Sequence, residues 1–193
     1  MARPSNREKI LTEGLKLVHQ RGFGAASVRD IVQAAGVPQG SFTNHFASKE
    51  AFGIEILDIY FSDNRTVIDE TLRNDALPPL ARLGAYIDRS TCSLGEGGSW
   101  NGCLLGNFTA ESGAHGEAIR GRLAGIFEEM RQAVAYCLRA AVAAGELPAG
   151  FDCETVAGFI VSSLQGAVLL ARAESSTQPI ERFRQVLFST ILR

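Results

Sequence analysis

Residues 21–52 read RGFGAASVRDIVQAAGVPQGSFTNHFASKEAF. Ser27 stands where a helix N-cap is wanted, and Asp30, three residues on, occupies the answering position of a capping box. Val28, Ile31, Val32 and Ala35 then form an apolar stripe at helical spacing, closed by Gly36. Pro38 suits the first turn of a further helix, because its missing N–H is not needed there. That helix, about residues 38–45, is short, and Phe42 and Phe46 anchor it to a core. Two short helices joined by a glycine turn have the layout of a helix-turn-helix reader of duplex DNA. In such a reader the second helix lies in the major groove while the first braces it.

Working outward, Leu11, Leu15 and Val18 put an earlier helix on one apolar face, with Gly22 as its stop. Ser48 caps a long helix running to about Leu72. Pro78 and Pro79 open another, through Ile87 toward Leu94. GEGGSWN (95–101) reads as a loop, Asn101 as the cap of a helix through Thr109, and Gly113 to Gly116 as a break. Helices over about 117–144, 153–173 and 179–192 complete the chain. No convincing run of alternating strands, no low-complexity tract and no internal repeat is seen. The expected fold is all-α: an N-terminal three-helix helix-turn-helix domain over residues 1–47 and a larger helical domain over 48–193.

Composition narrows the function classes. Of 193 residues 46% are hydrophobic, ample for a core, and no apolar run reaches the length of a membrane span, so no membrane partner is expected. The start, MARPSNREKI, lacks the apolar stretch of an export signal, so a cytoplasmic setting is expected. Cys92, Cys103, Cys137 and Cys153 show no metal-like spacing and read as cytosolic thiols. The net charge of −2 is unevenly spread. Residues 1–50 carry seven Lys/Arg against four Asp/Glu, a net +3, and the remainder twelve against seventeen, a net −5. A weakly basic head sits on an acidic body.

The short third helix offers Gln39, Gly40, Ser41, Thr43, Asn44 and His45. Asn and Gln pair bidentately with adenine, Ser and Thr reach bases or phosphates, and Gly40 permits close backbone approach. Lys49 falls at a helix start, where the dipole disfavours a cation; a bound phosphate would resolve that conflict. Arg3 and Arg7 are placed to form an arm over the DNA backbone.

These residues carry a family resemblance. GFGAASVRDIVQAAGVPQGSFTNHFASKEAF closely resembles the N-terminal domain of TetR/AcrR-type transcriptional repressors, over about residues 5–60; the later helices agree in layout. The resemblance implies a homodimer whose heads bind a palindromic double-stranded operator. It also implies that the C-terminal domain binds a small-molecule inducer and supplies the dimer interface. By position, Ser27, Arg29, Gln39, Ser41, Thr43, Asn44, His45 and Lys49 would contact DNA. Thr43 departs from the family's usual Tyr, and Asn44 and His45 stand where His and Tyr are frequent, so no relative's operator sequence carries over.

In the body, Gly158, Ser162 and Gly166 form a small-residue stripe that admits a close helix. Ile180, Phe183, Leu187 and Ile191 line the last helix with apolar side chains, and the resemblance assigns both stripes to a dimer interface. Two readings stand for Cys103. At a helix start its thiolate is favoured, and Gly102-Cys103-Leu104 is similar to the segment of NemR-like members that sense electrophiles and oxidants through a cysteine. Alternatively it is a small buried hydrophobe. A reversible organic inducer would meet Phe61, Trp100, Phe108, Phe127 and Gln165.

Catalysis is not expected. Cys103, Glu111 and His115 lie close in sequence, but the break at Gly113 leaves their geometry unspecified. No cofactor or metal motif is read. The rival class is a protein-interaction module, which would need neither the polar short helix nor Lys49.

Overall fold

Ser5 caps the first helix, α1 (Asn6–Arg21), in a reciprocal capping box with Glu8, and Gly22 ends it at φ +90°, a conformation that a side chain would strain. α2 (Val28–Ala34) begins in the expected Ser27–Asp30 capping box. Gly36, at φ +62°, turns the chain toward α3 (Gly40–His45). The computed structural model describes residues 5–193, so Arg3 lies outside the described residues.

α4 (Lys49–Glu70) and α5 (Pro79–Thr91) follow, the latter with Pro78 as its N-cap. α6 (Leu104–Ala110), α7 (Glu117–Ala143), α8 (Cys153–Glu174) and α9 (Gln178–Val186) complete the set, and a π-helical turn, Leu187–Ile191, replaces the expected straight continuation of the last helix. The described residues contain no strand, and the architecture is all-α, as expected.

One expected cap is corrected. Asn101 does not start α6; Cys103 is the N-cap residue and the helix begins at Leu104. Gly102 would be the first helical residue behind an Asn101 cap, yet it sits at φ +71°, outside helical conformation.

The chain forms two compact units. One joins the chain up to Tyr60 with Cys103–Ala124; the other joins Phe61–Gly102 with Gly125–Arg193. In the first, α1, α2 and α3 pack mutually, and Ile10, Val18, Ile31, Phe42, Phe52 and Phe108 are among the buried side chains. In the second, α8 packs on α9, and Phe61, Leu83, Tyr86, Val134 and Ile160 are buried. Arg82 is buried there too, donating to the Leu77 carbonyl (2.7 Å) and the Asp75 carboxylate (2.5 Å), which fixes the turn ahead of α5.

α8 has 22 residues and a mean hydropathy of 1.6, enough by length and composition to cross a membrane. Yet it packs on α9 and buries Ala157, Ile160, Val161, Leu164, Ala167, Val168 and Ala171, the spacing of a core-facing helix. Its other side exposes Phe159, Leu169 and Leu170.

Candidate nucleic-acid interface

The interface begins with an aromatic platform. α3 is only 6 residues long, well below the length at which a helix holds in water unaided. Tertiary packing supplies what its length cannot. Phe42 and Phe46 are buried with ring centroids 5.1 Å apart, and Phe52 of α4 meets them at 5.6 and 5.4 Å. With one side fixed, Gln39, Gly40, Thr43, Asn44 and His45 are left exposed.

The exposed set is not uniform. The Thr43 hydroxyl donates to the Gly40 carbonyl (3.1 Å) and keeps acceptor capacity outward. Asn44 and His45 are exposed, the His45 ring edge-on to Phe46 with centroids 6.5 Å apart, while Gln39 sits just ahead of the helix. Arg29 on α2 is exposed. Ser41, expected among the reading residues, is instead 8% exposed and accepts from Asn6 Nδ2 (3.4 Å). Adjacent residues on a helix cannot all face outward, and Ser41 shares the inward side with Phe42.

Ser27 is committed to its cap. Its Oγ accepts from the Asp30 amide (3.1 Å), and Asp30 Oδ2 accepts from the Ser27 amide (3.0 Å) and hydroxyl (2.5 Å). These hydrogen bonds hold the Asp30 carboxyl below its ordinary range. Arg7 is likewise engaged, paired with Glu55 and 5.5 Å from the Phe46 ring centroid.

Lys49 resolves its conflict with the helix dipole internally. Its ammonium donates to the carbonyls of Phe23 (2.6 Å) and Gly24 (3.4 Å) and lies 4.5 Å from the Phe23 ring centroid. Burial pushes its pKa down, while the charges of Glu111 and Asp30 oppose that shift. The expected phosphate is not required to account for this cation.

Two residues outside the expected set complete the geometry. Glu111, the C-cap residue of α6, accepts from the backbone N–H groups of Phe23 (3.2 Å) and Gly24 (2.6 Å). His115 is buried, its ring 5.4 Å from Phe23 and 5.5 Å from Phe108. A partner 87 or 88 residues away leaves no local signal.

The body residues are distributed. Cys103 and Phe108 belong to the first unit; Phe61, Trp100, Phe127 and Gln165 belong to the second, so neither unit gathers all six. Phe108 is buried with Phe23, ring centroids 4.8 Å apart. Phe61 is fully buried beneath Arg65, whose guanidinium is 4.6 Å from the ring centroid and pairs bidentately with Glu129 (2.6 and 2.9 Å). Trp100 and Phe127 are half-buried. Gln165 holds a buried Oε1 without a hydrogen-bond partner among the described residues.

Cys103 is half-buried, and the Tyr60 hydroxyl donates to its sulfur at 3.8 Å. Cys137 is buried against the Pro79 carbonyl (3.1 Å), and burial pushes its thiol up to about 11. On α8 and α9, Ser162 and Gly166 are exposed and Gly158 and Phe183 half-buried. Leu187 is 1% exposed and so packs inside the chain rather than on an open face.

Comparison with known proteins gives family matches along most of the chain. Residues 10–56 match the family described as bacterial regulatory proteins, tetR family, and residues 79–187 match the tetracyclin repressor-like C-terminal domain. The chain is 34% identical over 192 residues to the HTH-type transcriptional repressor DhaR of Mycobacterium sp. (strain GP1), covering 100% of this chain and 95% of that protein. A crystal structure of regulatory protein TetR from Rhodobacter sphaeroides superposes with a TM-score of 0.88 at 30% identity, covering 94% of this chain and 96% of that one. The reduced form of Escherichia coli NemR gives 0.84 at 26% identity, with 92% of each chain covered.

Proposed function

Because the chain belongs to the TetR family of bacterial regulatory proteins, we propose that it is a homodimeric, cytoplasmic transcriptional repressor reading a palindromic operator. The observation that carries this reading is the exposed Gln39, Gly40, Thr43, Asn44 and His45 surface, held by the buried Phe42–Phe46–Phe52 platform. Residues 1–47 form the DNA-binding domain and residues 48–193 the sensing and dimerisation domain. Arg29 and the α3 residues approach the groove. Ser27 and Lys49 contribute by fixing backbone, and Ser41 by packing. The likeness to the transcriptional repressor DhaR favours repression over activation.

Dimerisation is supported by α8. Only 39% of its most apolar 18-residue stretch is buried within the chain, and an apolar face left open is a surface suited to a partner. Phe159 (45% exposed), Leu170 (51%) and Val186 (46%) lie along a groove of about 390 Å³ that also includes Gly166 and Phe183. A second copy covers this face, with Gly158, Ser162 and Gly166 admitting its helix. Release comes from a small organic inducer in the body, where the unpaired Gln165 Oε1 offers an acceptor among apolar side chains.

A second trigger is favoured by one contact. The Tyr60 hydroxyl beside the Cys103 sulfur gives that thiol a polar neighbour it would lack as a mere core hydrophobe. In this reading an electrophile or oxidant modifies Cys103 and the operator is released.

The test is a footprint on intergenic DNA flanking the gene. A symmetric protected site whose affinity falls steeply with salt is expected; no protection, or a flat salt response, points to a protein-interaction module. Thiol reagents should then release wild-type protein but not Cys103→Ser. Equal release of both removes Cys103 as the trigger.

A further inference from the structure

The six residues between α1 and α2, Gly22 to Ser27, decide where α2 begins and hence where α3 points. Their peptide groups are gripped on both sides. Glu111 takes the N–H groups of Phe23 and Gly24, at 3.2 and 2.6 Å, one on each carboxylate oxygen. Lys49 takes the carbonyls of the same two residues, at 2.6 and 3.4 Å. Between them the Phe23 ring is buried against Phe108 and His115. The seat is cut to the carboxylate. A Cβ at Gly22 would stand 2.5 Å from Glu111 Oε1, and one at Gly24 would stand 3.1 Å from Oε2.

We propose that Glu111 is a positioning residue for DNA reading: its carboxylate sets the stance of the α1–α2 loop, and through it the angle at which α3 meets the groove. The assignment rests on the DNA-reading function proposed above. A Gln in its place would keep one acceptor oxygen and turn its NH2 donor toward the other N–H, and the bond it retained would be weaker, because bonds to an ionised carboxylate are about twice as strong as neutral ones. The carboxylate also complements the Lys49 ammonium across the same loop and opposes the downward push of burial on its pKa. Glu111 touches the loop backbone, so it acts through α2 and α3 rather than on DNA itself.

The experiment compares wild type, Glu111→Gln and Glu111→Ala as full-length protein. Amide exchange is followed over residues 22–27 without DNA, and affinity is measured for the footprinted operator and for random duplex of equal length. The expected result is faster exchange over 22–27 with α8 unchanged. Operator affinity should fall about tenfold in Glu111→Gln and more in Glu111→Ala. Random-duplex affinity and the salt slope should stay at wild-type values, because no phosphate contact is lost.

Simple loss of folded protein would lower both affinities together, so the ratio separates positioning from stability. Should Glu111→Ala fail to fold, Glu111→Gln carries the test alone. A wild-type ratio in the variants, or unchanged exchange over 22–27, overturns the proposal while leaving the DNA-reading function standing. Wild-type protein that shows no operator preference overturns both.

Discussion

α3 and α8 are both partly uncovered helices, and they are opposites. α3 has 6 residues, presents amide, hydroxyl and imidazole groups, and is held by three phenylalanines behind it. α8 has 22 residues, presents Phe159, Leu169 and Leu170, and needs no platform because its length and its contact with α9 suffice. Exposure alone therefore says little. The chemistry of what is exposed distinguishes a surface suited to reading hydrogen-bond patterns from one suited to a second apolar face.

The sharpest way to break this contrast is to make α8 polar. Replacing Phe159 and Leu170 together by Asp should weaken self-association about a thousandfold or more, as read by sedimentation, and operator affinity should collapse with it. A double variant that sediments like wild type removes α8 from the interface. Next in size, Phe42→Ala should cost about 3–5 kcal/mol of stability in the first unit, measured by denaturant unfolding. A loss below about 1 kcal/mol would mean that α3 does not depend on its platform.

Asn44→Ala should leave stability nearly unchanged while reducing operator affinity about tenfold to a hundredfold, and base preference should relax at one position. Lys49→Met should lower stability by about 1 kcal/mol, because two loop carbonyls lose their donor, while the slope of affinity against salt stays at its wild-type value. A slope shallower by about one would instead identify a phosphate contact. The smallest expected effect is on Cys137. With its thiol raised to about 11 by burial, too little thiolate exists at pH 8 for alkylation. Mass spectrometry of native protein should find Cys137 unmodified, in contrast to exposed Cys92.

Local signals were legible and distant ones were not. The Ser27–Asp30 capping box, the stops at Gly22 and Gly36 and the start of α5 beside Pro78 are written within three or four residues, and each appears as read. The α6 start was misplaced because Asn101 is a good capping type, whereas the left-handed backbone of Gly102 is dictated by its loop. Residue type put Ser41 among the readers; only the facing of a six-residue helix against α1 buries it. The acceptors that Lys49 finds within the chain, the Phe23 and Gly24 carbonyls, lie 26 and 25 residues away, beyond the reach of any local signal. Glu111 is the extreme case, because nothing near it in the chain announces a loop 87 residues upstream.

That long-range grip bears on how such a protein can be re-engineered. α4 and α7 each run through the division between the two compact units, and the first unit borrows Cys103–Ala124 from the middle of the chain. A chimera made by cutting after residue 47, to join this head to a foreign sensor, would leave both Lys49 and Glu111 behind. The donor would then have to supply its own cation and carboxylate to a loop shaped for these two. Transplanting specificity here means moving two stretches of gene, not one.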